Sequence, residues 1–178
     1  INSNYLKAHN NLGNLLKKLG ENQKAKDCYE KVIEIDPNNI NAYYNLGIIF
    51  QKLEENQKAK ECYEKAIEIN PNYVDAHYNL GNLLKELGEN QKAKECYEKA
   101  IEINPNFVNA YNNLGVIFKE LGENQKAKEC YEKAIKINPN YAEAHNNLGT
   151  IFNLLEENQK AKDCYEKAIK INPNHVNA

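Results

Sequence analysis

The chain has 178 residues, 27% of them charged and 42% hydrophobic, with a formal net charge of -2. All 23 basic residues are lysine, so no guanidinium is present to fork around a phosphate or carboxylate, and the near-neutral balance argues against a nucleic-acid partner. The longest apolar runs, such as Ile48-Ile49-Phe50, are far too short to span a bilayer, and no charged segment followed by an apolar stretch opens the chain.

One stretch recurs throughout. Ala76 to Pro105 reads AHYNLGNLLKELGENQKAKECYEKAIEINP, with close copies before and after it. Prolines fall at Pro37, Pro71, Pro105, Pro139 and Pro173, and Leu-Gly pairs end at Gly13, Gly47, Gly81, Gly115 and Gly149, each series stepping by 34. A fixed period of this size means one supersecondary unit stacked along a line, so each unit is stabilised by its neighbours rather than by a central core. Five whole units are predicted, at residues 6–39, 40–73, 74–107, 108–141 and 142–175. Residues 1–5, INSNY, match the INPNY of residues 137–141 with Ser3 in place of proline, and read as the tail of a preceding unit. Residues 176–178 read as the start of a further one. Without a Met or a polar capping helix, the chain is expected to be a piece of a longer array.

Within a unit, Ala76, Leu80, Leu83, Leu84 and Leu87 fall on one helical stripe, which predicts an amphipathic first helix. Asn72 is placed to cap its start, and Gly88 suits the left-handed residue that ends it. Glu54 and Glu156 stand where Gly20, Gly88 and Gly122 do, so those two turns are expected to carry strain. The second helix is predicted from Asn90, as N-cap, through Ala93, Cys96, Tyr97, Ala100, Ile101 and Ile103. Asn104-Pro105 then ends it, since the residue before proline is pushed out of the helical region. Gly81, Ala93 and Ala100 let the two helices approach closely while Leu80, Leu84 and Tyr97 fill the space between them.

Cys28, Cys62, Cys96, Cys130 and Cys164 keep the same 34-residue step. Equivalent atoms of stacked helices lie about 8–10 Å apart, and a disulfide needs Cα atoms within about 7 Å. Five reduced thiols acting as small apolar residues are therefore expected, which fits a reducing, cytoplasmic compartment. Zinc is disfavoured by the absence of any C-x-x-C pair.

Leu-Gly, an Ala twelve residues later, then Tyr, Ala and a closing Pro at this period resemble the tetratricopeptide repeat, over practically the whole chain. Where that family often has Trp or Tyr four residues before the Gly, this chain has His9, Tyr43, His77, Tyr111 and His145. The resemblance implies an all-α, right-handed α-solenoid of antiparallel helix-turn-helix hairpins whose first helices line a concave surface that holds partner peptides.

No catalytic constellation is legible. The chain has one Ser, one Thr, no phosphate-cradling glycine loop and no motif of metal-ligand spacing, so no enzyme activity, cofactor or metal is expected. His9, His77 and His145 share one helix position and read as packing or rim residues, and Lys92, Glu95, Glu98 and Lys99 as a solvated face of weak ion pairs.

The strongest candidate site is Asn11, Asn45, Asn79, Asn113 and Asn147, one residue before each Leu-Gly. Asn is a poor interior helix residue, costing up to about 0.7 kcal/mol against Ala, and its amide can both donate to and accept from a passing backbone. With rungs about 8–10 Å apart, a strand rising about 3.3 Å per residue would cover such a ladder with roughly ten to twelve residues. The preceding position varies as Asn10, Tyr44, Tyr78, Asn112 and Asn146, as expected if one position grips backbone and its neighbour selects side chains. The resemblance here is to the superhelical repeat domain of O-linked N-acetylglucosamine transferases, where an asparagine ladder holds extended polypeptide. Against it stands the chain's free use of Asn in caps, turns and surface. The carboxylate clamp of chaperone-binding members is incomplete, with Lys7, Asn14 and Asn82 as candidates and no Arg. Tyr44, Ile48, Tyr78 and Val116 suggest apolar and aromatic contacts midway, with Lys7 and Lys17 near one end and Glu143 near the other.

The expected function is a protein-interaction scaffold that binds an extended peptide, with no nucleic-acid or membrane partner. Two alternatives stay open: a structural array that associates through its uncapped ends, and a substrate-presenting segment of a larger enzyme such as a glycosyltransferase.

Overall fold

The computed structural model describes residues 3–173. Among them the chain forms ten α-helices and no strand: α1 (Ser3–Lys18), α2 (Asn22–Ile35), α3 (Ile40–Lys52), α4 (Asn56–Ile69), α5 (Val74–Glu86), α6 (Asn90–Ile103), α7 (Val108–Glu120), α8 (Asn124–Ile137), α9 (Ala142–Leu154) and α10 (Asn158–Ile171). They group into two compact units, one of α1–α5 and one of α6–α10. In the first, α1 packs on α2, α2 on α3, α3 on α4 and α4 on α5. The second repeats that scheme from α6 to α10.

The apolar stripes bury as their spacing predicts. On the first helices Ala42, Leu46, Ile49 and Phe50 are buried, as are Ala110, Leu114, Ile117 and Phe118. On the second helices the equivalent role falls to Ala59, Tyr63 and Ala66, and to Ala127, Tyr131 and Ala134. The hairpins close around a glycine facing a tyrosine ring. A Cβ added at Gly47 would lie 2.6 Å from Cε1 of Tyr63, and one at Gly115 equally close to Tyr131. Only a residue without a Cβ allows the helix backbone to lie on the ring face. Lysines of two second helices flank each buried Phe of a first helix: Lys26 and Lys58 lie 5.9 and 5.4 Å from the Phe50 ring centre, Lys94 and Lys126 5.5 and 5.4 Å from that of Phe118. These cation–π contacts tie three consecutive helices together at about 0.5–1 kcal/mol each.

The turns between the two helices of a hairpin are Schellman closures. Gly88 has φ +77°, its N–H donates to the Lys85 carbonyl, and the Glu89 N–H donates to the Leu84 carbonyl. Glu54 and Glu156 enter the same left-handed region, at φ 59° and 61°, with the same pair of backbone bonds. A Cβ disfavours that region by about 1–2 kcal/mol, partly offset by the greater freedom glycine has when unfolded. Glu54→Gly is therefore expected to raise stability by about 1 kcal/mol, measured as the urea midpoint at an unchanged slope, and Glu156→Gly likewise.

Both predicted N-caps are corrected by the structure. The residue capping α5 is Tyr73, not Asn72, and it uses no side-chain bond. The Asn72 N–H is taken by Oδ1 of Asn70, which closes a turn over Pro71 and leaves Asn72 outside the helix. A side-chain cap forms at α3, where Asn39 occupies the position of Tyr73 and accepts from the Ala42 N–H at 3.1 Å. At the second helices the asparagine lies one residue too late: α6 begins at Asn90, and Glu21, Glu55, Glu123 and Glu157 are the N-caps of α2, α4, α8 and α10. Their carboxylates form ion pairs with Lys24, Lys58, Lys126 and Lys160 three residues on and place negative charge at the positive end of the helix. Residues 3–5, read from sequence as the tail of a preceding unit, form the first turn of α1. Residues 1–2 and 176–178, also assigned to neighbouring units, lie outside the described residues.

All five cysteines are free thiols. Burial, reinforced by nearby glutamates, pushes Cys62 and Cys130 up to about 12. They pack as small apolar groups and hold their protons at neutral pH.

Candidate functional site

In the first unit, side chains of α1, α3 and α5 meet directly. Nζ of Lys17, in the last turn of α1, donates to Oδ1 of Asn45 on α3 at 2.5 Å. Lys17 is half-buried, and burial followed by repulsion from Lys52 holds its ammonium below the usual lysine range. One step along, Nδ2 of Asn79 on α5 donates to the Tyr44 hydroxyl on α3 at 2.9 Å. Tyr44 is half-buried, with its ring edge-on to Tyr73 at 5.2 Å and tilted against Tyr63 at 6.2 Å. Burial and the Asp75 carboxylate raise its hydroxyl above the ordinary tyrosine range, against the opposing pull of the Asn79 bond.

The second unit builds the same joint from other residues. Asn112 on α7 is fully buried; its Oδ1 accepts from Asn147 on α9 at 2.9 Å, while its amide nitrogen donates to Glu143 Oε1 at 3.0 Å and to Asn113 Oδ1 at 3.4 Å. The Tyr141 hydroxyl lies 3.2 Å from the other oxygen of Glu143. Position for position, Tyr44 with Asn79 and Asn112 with Asn147 occupy equivalent places 68 residues apart.

These contacts change the expected picture of bare amide rungs. Asn45, Asn79 and Asn147 each commit part of the amide to an adjacent first helix, where a polar group stood within reach. Asn11 is exposed at the flank of α1. The residues expected to select side chains, Tyr44 and Asn112, act as joints between helices, because a buried polar group at that position needs a partner from the next repeat. Sequence could have signalled this: an acid stands at Asp75 and Glu143, the second residue of the repeat that follows each joint.

The remaining candidates share the first-helix faces. Lys7 and Asn14 are exposed, and Asn14 accepts from the Tyr29 hydroxyl at 2.8 Å. Ile48, Tyr78, Asn82, Asn113 and Val116 are half-buried. Asn14 thus supports the hairpin as well as facing outward. The Tyr63 hydroxyl finds Gln51 and that of Tyr165 finds Thr150, but Val116 offers nothing to Tyr131, whose buried hydroxyl has no partner.

The histidines serve the turns. Nε2 of His77 bonds the Pro71 carbonyl at 2.9 Å and that of His145 the Pro139 carbonyl at 3.0 Å. Among the described residues no three His, Cys, Asp or Glu side chains come together as metal ligands would. Burial raises the hydroxyls of Tyr29 and Tyr73 to about 12, so neither is tuned for proton transfer near neutrality.

Ten helices built on a 34-residue period, with polar side chains joining successive first helices, define an all-α repeat scaffold of the solenoid class. A family model for the tetratricopeptide repeat matches residues 6–39, 40–73, 74–107, 108–141 and 142–175, and the chain belongs to that family. Its members are in general protein-interaction scaffolds that bind protein or peptide partners and are typically non-catalytic. Among solved structures, MamA is 27% identical over 95% of this chain and 92% of its own, with a TM-score of 0.83. YrrB, described as a TPR protein with an unusual peptide-binding site, is 29% identical over 94% of this chain and 87% of its own, with a TM-score of 0.77. PilF of Pseudomonas aeruginosa, 24% identical over 94% of this chain and 76% of its own at a TM-score of 0.86, shares the fold. No curated protein sequence matches the chain. Among the described residues no helix is long and apolar enough to cross a membrane.

Proposed function

We propose that this chain binds extended polypeptide on the faces of its first helices, and that its asparagines grip the backbone while their neighbours contact side chains. The observation that carries the reading is the half-used amide. Asn79 and Asn147 each donate through the amide nitrogen to the adjacent helix and keep Oδ1 for an incoming N–H, while Asn45 accepts from Lys17 and keeps its NH2 for an incoming carbonyl. The bonds inside the protein hold each amide in one orientation, so little side-chain entropy is lost when a ligand backbone pairs with it. Lys7, Asn11, Asn14, Tyr44, Ile48, Tyr78 and Asn82 belong to this surface in the first unit, and Asn113, Val116 and Asn147 in the second. The peptide-binding site named for YrrB supports the reading by likeness.

The test is selection from a random twelve-residue peptide library on the intact chain, followed by affinity measurement with Asn45→Ala/Asn79→Ala, helix content being checked in both. A loss of tenfold or more, about 1.4 kcal/mol, with helices intact is the expected result. Equal affinity, or no peptide retained, would rule the reading out.

A further inference from the structure

Between α7 and α8 the second unit carries an open groove of about 450 Å³, lined by Tyr111, Phe118, Lys126, Glu129, Cys130 and Lys133. Its apolar part is two rings and a thiol: Phe118 is buried, Tyr111 and Cys130 are half-buried. Its three charges have different fates. Lys126 forms an ion pair with Glu123 and lies 5.4 Å from the Phe118 ring centre, so its ammonium is already engaged. Glu129 accepts from Gln125 at 3.1 Å through one carboxylate oxygen. Among the described residues neither Glu129 nor Lys133 enters an ion pair.

The unpaired ammonium has a cause in the sequence. On α2, α4 and α6 the equivalent lysines, Lys31, Lys65 and Lys99, are held by an acid three residues on, Glu34, Glu68 and Glu102, at 2.7, 2.9 and 3.0 Å. On α8 that position is Lys136, in the last turn, where the helix end favours a cation. α8 therefore holds four lysines against two acids, where α4 and α6 hold three of each. α10 lacks the acid too, with Lys170 in its place, but His145 stands there instead of a tyrosine and bonds the Pro139 carbonyl. Residues 40–73 have both rings, as Tyr43 and Phe50, but their lysine is the paired Lys65. Residues 108–141 alone put a tyrosine and a phenylalanine beside a lysine that no acid holds.

We infer that this groove binds a free aromatic α-amino acid. Glu129 and Lys133 stand one helical turn apart on one face of α8, a spacing that sets their Cβ atoms about 5–6 Å from each other. An α-ammonium and an α-carboxylate joined through a single carbon fit between two such groups, the ammonium on Glu129 and the carboxylate on Lys133, each by a charge-assisted bond. The ring packs against Tyr111 and Phe118, with the Cys130 sulfur beside it. A rim with one open charge of each sign matches a zwitterion, whereas a ligand of single charge is repelled by one of the two. The site is separate from the asparagine ladder and stands whether or not the ladder holds peptide.

The chain contains no tryptophan, so the emission anisotropy of added L-tryptophan reads binding to the intact protein directly. Saturable binding at one site per chain is expected, with a Kd below about 1 mM. Tryptophanamide, which lacks the carboxylate, and indole-3-propionate, which lacks the ammonium, should each bind about fivefold more weakly or worse. Lys136→Glu rebuilds the pair seen at Lys65 and Glu68 and should weaken tryptophan about fivefold. Lys133→Gln should do at least as much, while Lys99→Gln on α6 should change nothing. Tyr111→His installs the residue that positions 77 and 145 already carry; it should remove binding with helix content intact. Equal binding of either analogue overturns the zwitterion match. Equal loss in Lys133→Gln and Lys99→Gln reduces the effect to overall charge and overturns the site, as does unchanged binding in Tyr111→His or the absence of saturable binding.

Discussion

Gly47→Ala is expected to destabilise the chain by about 1–3 kcal/mol, although alanine is the better helix former by about 1 kcal/mol. The sign follows from where the methyl would go. A Cβ at Gly47 would stand 2.6 Å from Cε1, 2.8 Å from Cδ1 and 3.0 Å from Cζ of Tyr63. The ring cannot retreat, because Tyr63 is fully buried on α4 and its hydroxyl is held by Gln51. The two helices must then separate, which loosens every contact along the seam in an interior packed as densely as a crystal. Exposed glycines make the contrast: around Gly88 nothing lies within 4 Å of an added Cβ, so a substitution there is penalised only by its φ of +77°. Chemical denaturation of Gly47→Ala, Tyr63→Leu and the double variant checks the argument. The double variant should be less destabilised than the two singles added together, since removing the ring makes room for the methyl. Strict additivity, or no loss from Gly47→Ala, would show that the close approach does not govern stability here.

That Leu-Gly pair was readable as a packing element because its cause is local and repeats: a Cβ-free position, and a tyrosine sixteen residues on, at a constant period. The stripes Ala42-Leu46-Ile49-Phe50 and Ala59-Tyr63-Ala66 were readable for the same reason. Capping was not, because it turns on one atom's reach. Asn70 captures the N–H of Asn72 and displaces the predicted cap, and the single-residue change from Tyr73 to Asn39 decides whether a side chain caps the helix at all. At the candidate site the sequence located the asparagines but left their partners open. Asn79 meets Tyr44 from 35 positions away, and Lys17 meets Asn45 from 28. Such pairings depend on how one first helix lies against the next, a quantity that no periodicity within a repeat encodes. The same reach explains why the sequence shows Tyr44 and Asn112 as members of a varying position but not the hydrogen bond each makes to the next first helix.

Asn112→Ala should therefore cost about 1–3 kcal/mol, the range for stripping hydrogen-bond partners from buried polar groups, whereas Asn112→Tyr should cost little. Asn112 is fully buried, accepts from Asn147 and donates to Glu143 and Asn113. Alanine leaves the Asn147 amide facing a cavity and releases the Glu143 carboxylate that the joint holds over α7. Tyrosine restores an acceptor for Asn147, because the equivalent joint already exists with a tyrosine in it: Tyr44 accepts from Asn79 at 2.9 Å, packed on Tyr63 and Tyr73 beside Asp75. The four residues around the Tyr44 joint have counterparts of the same kind in the second unit, Asn147 for Asn79, Tyr131 for Tyr63, Tyr141 for Tyr73 and Glu143 for Asp75. The measurement is the denaturation midpoint of the two variants against the parent. If tyrosine is as damaging as alanine, the two joints are not interchangeable and packing around Asn112 sets the cost. If both are neutral, the buried network adds no net stability, and its residues are free to serve the bound chain alone.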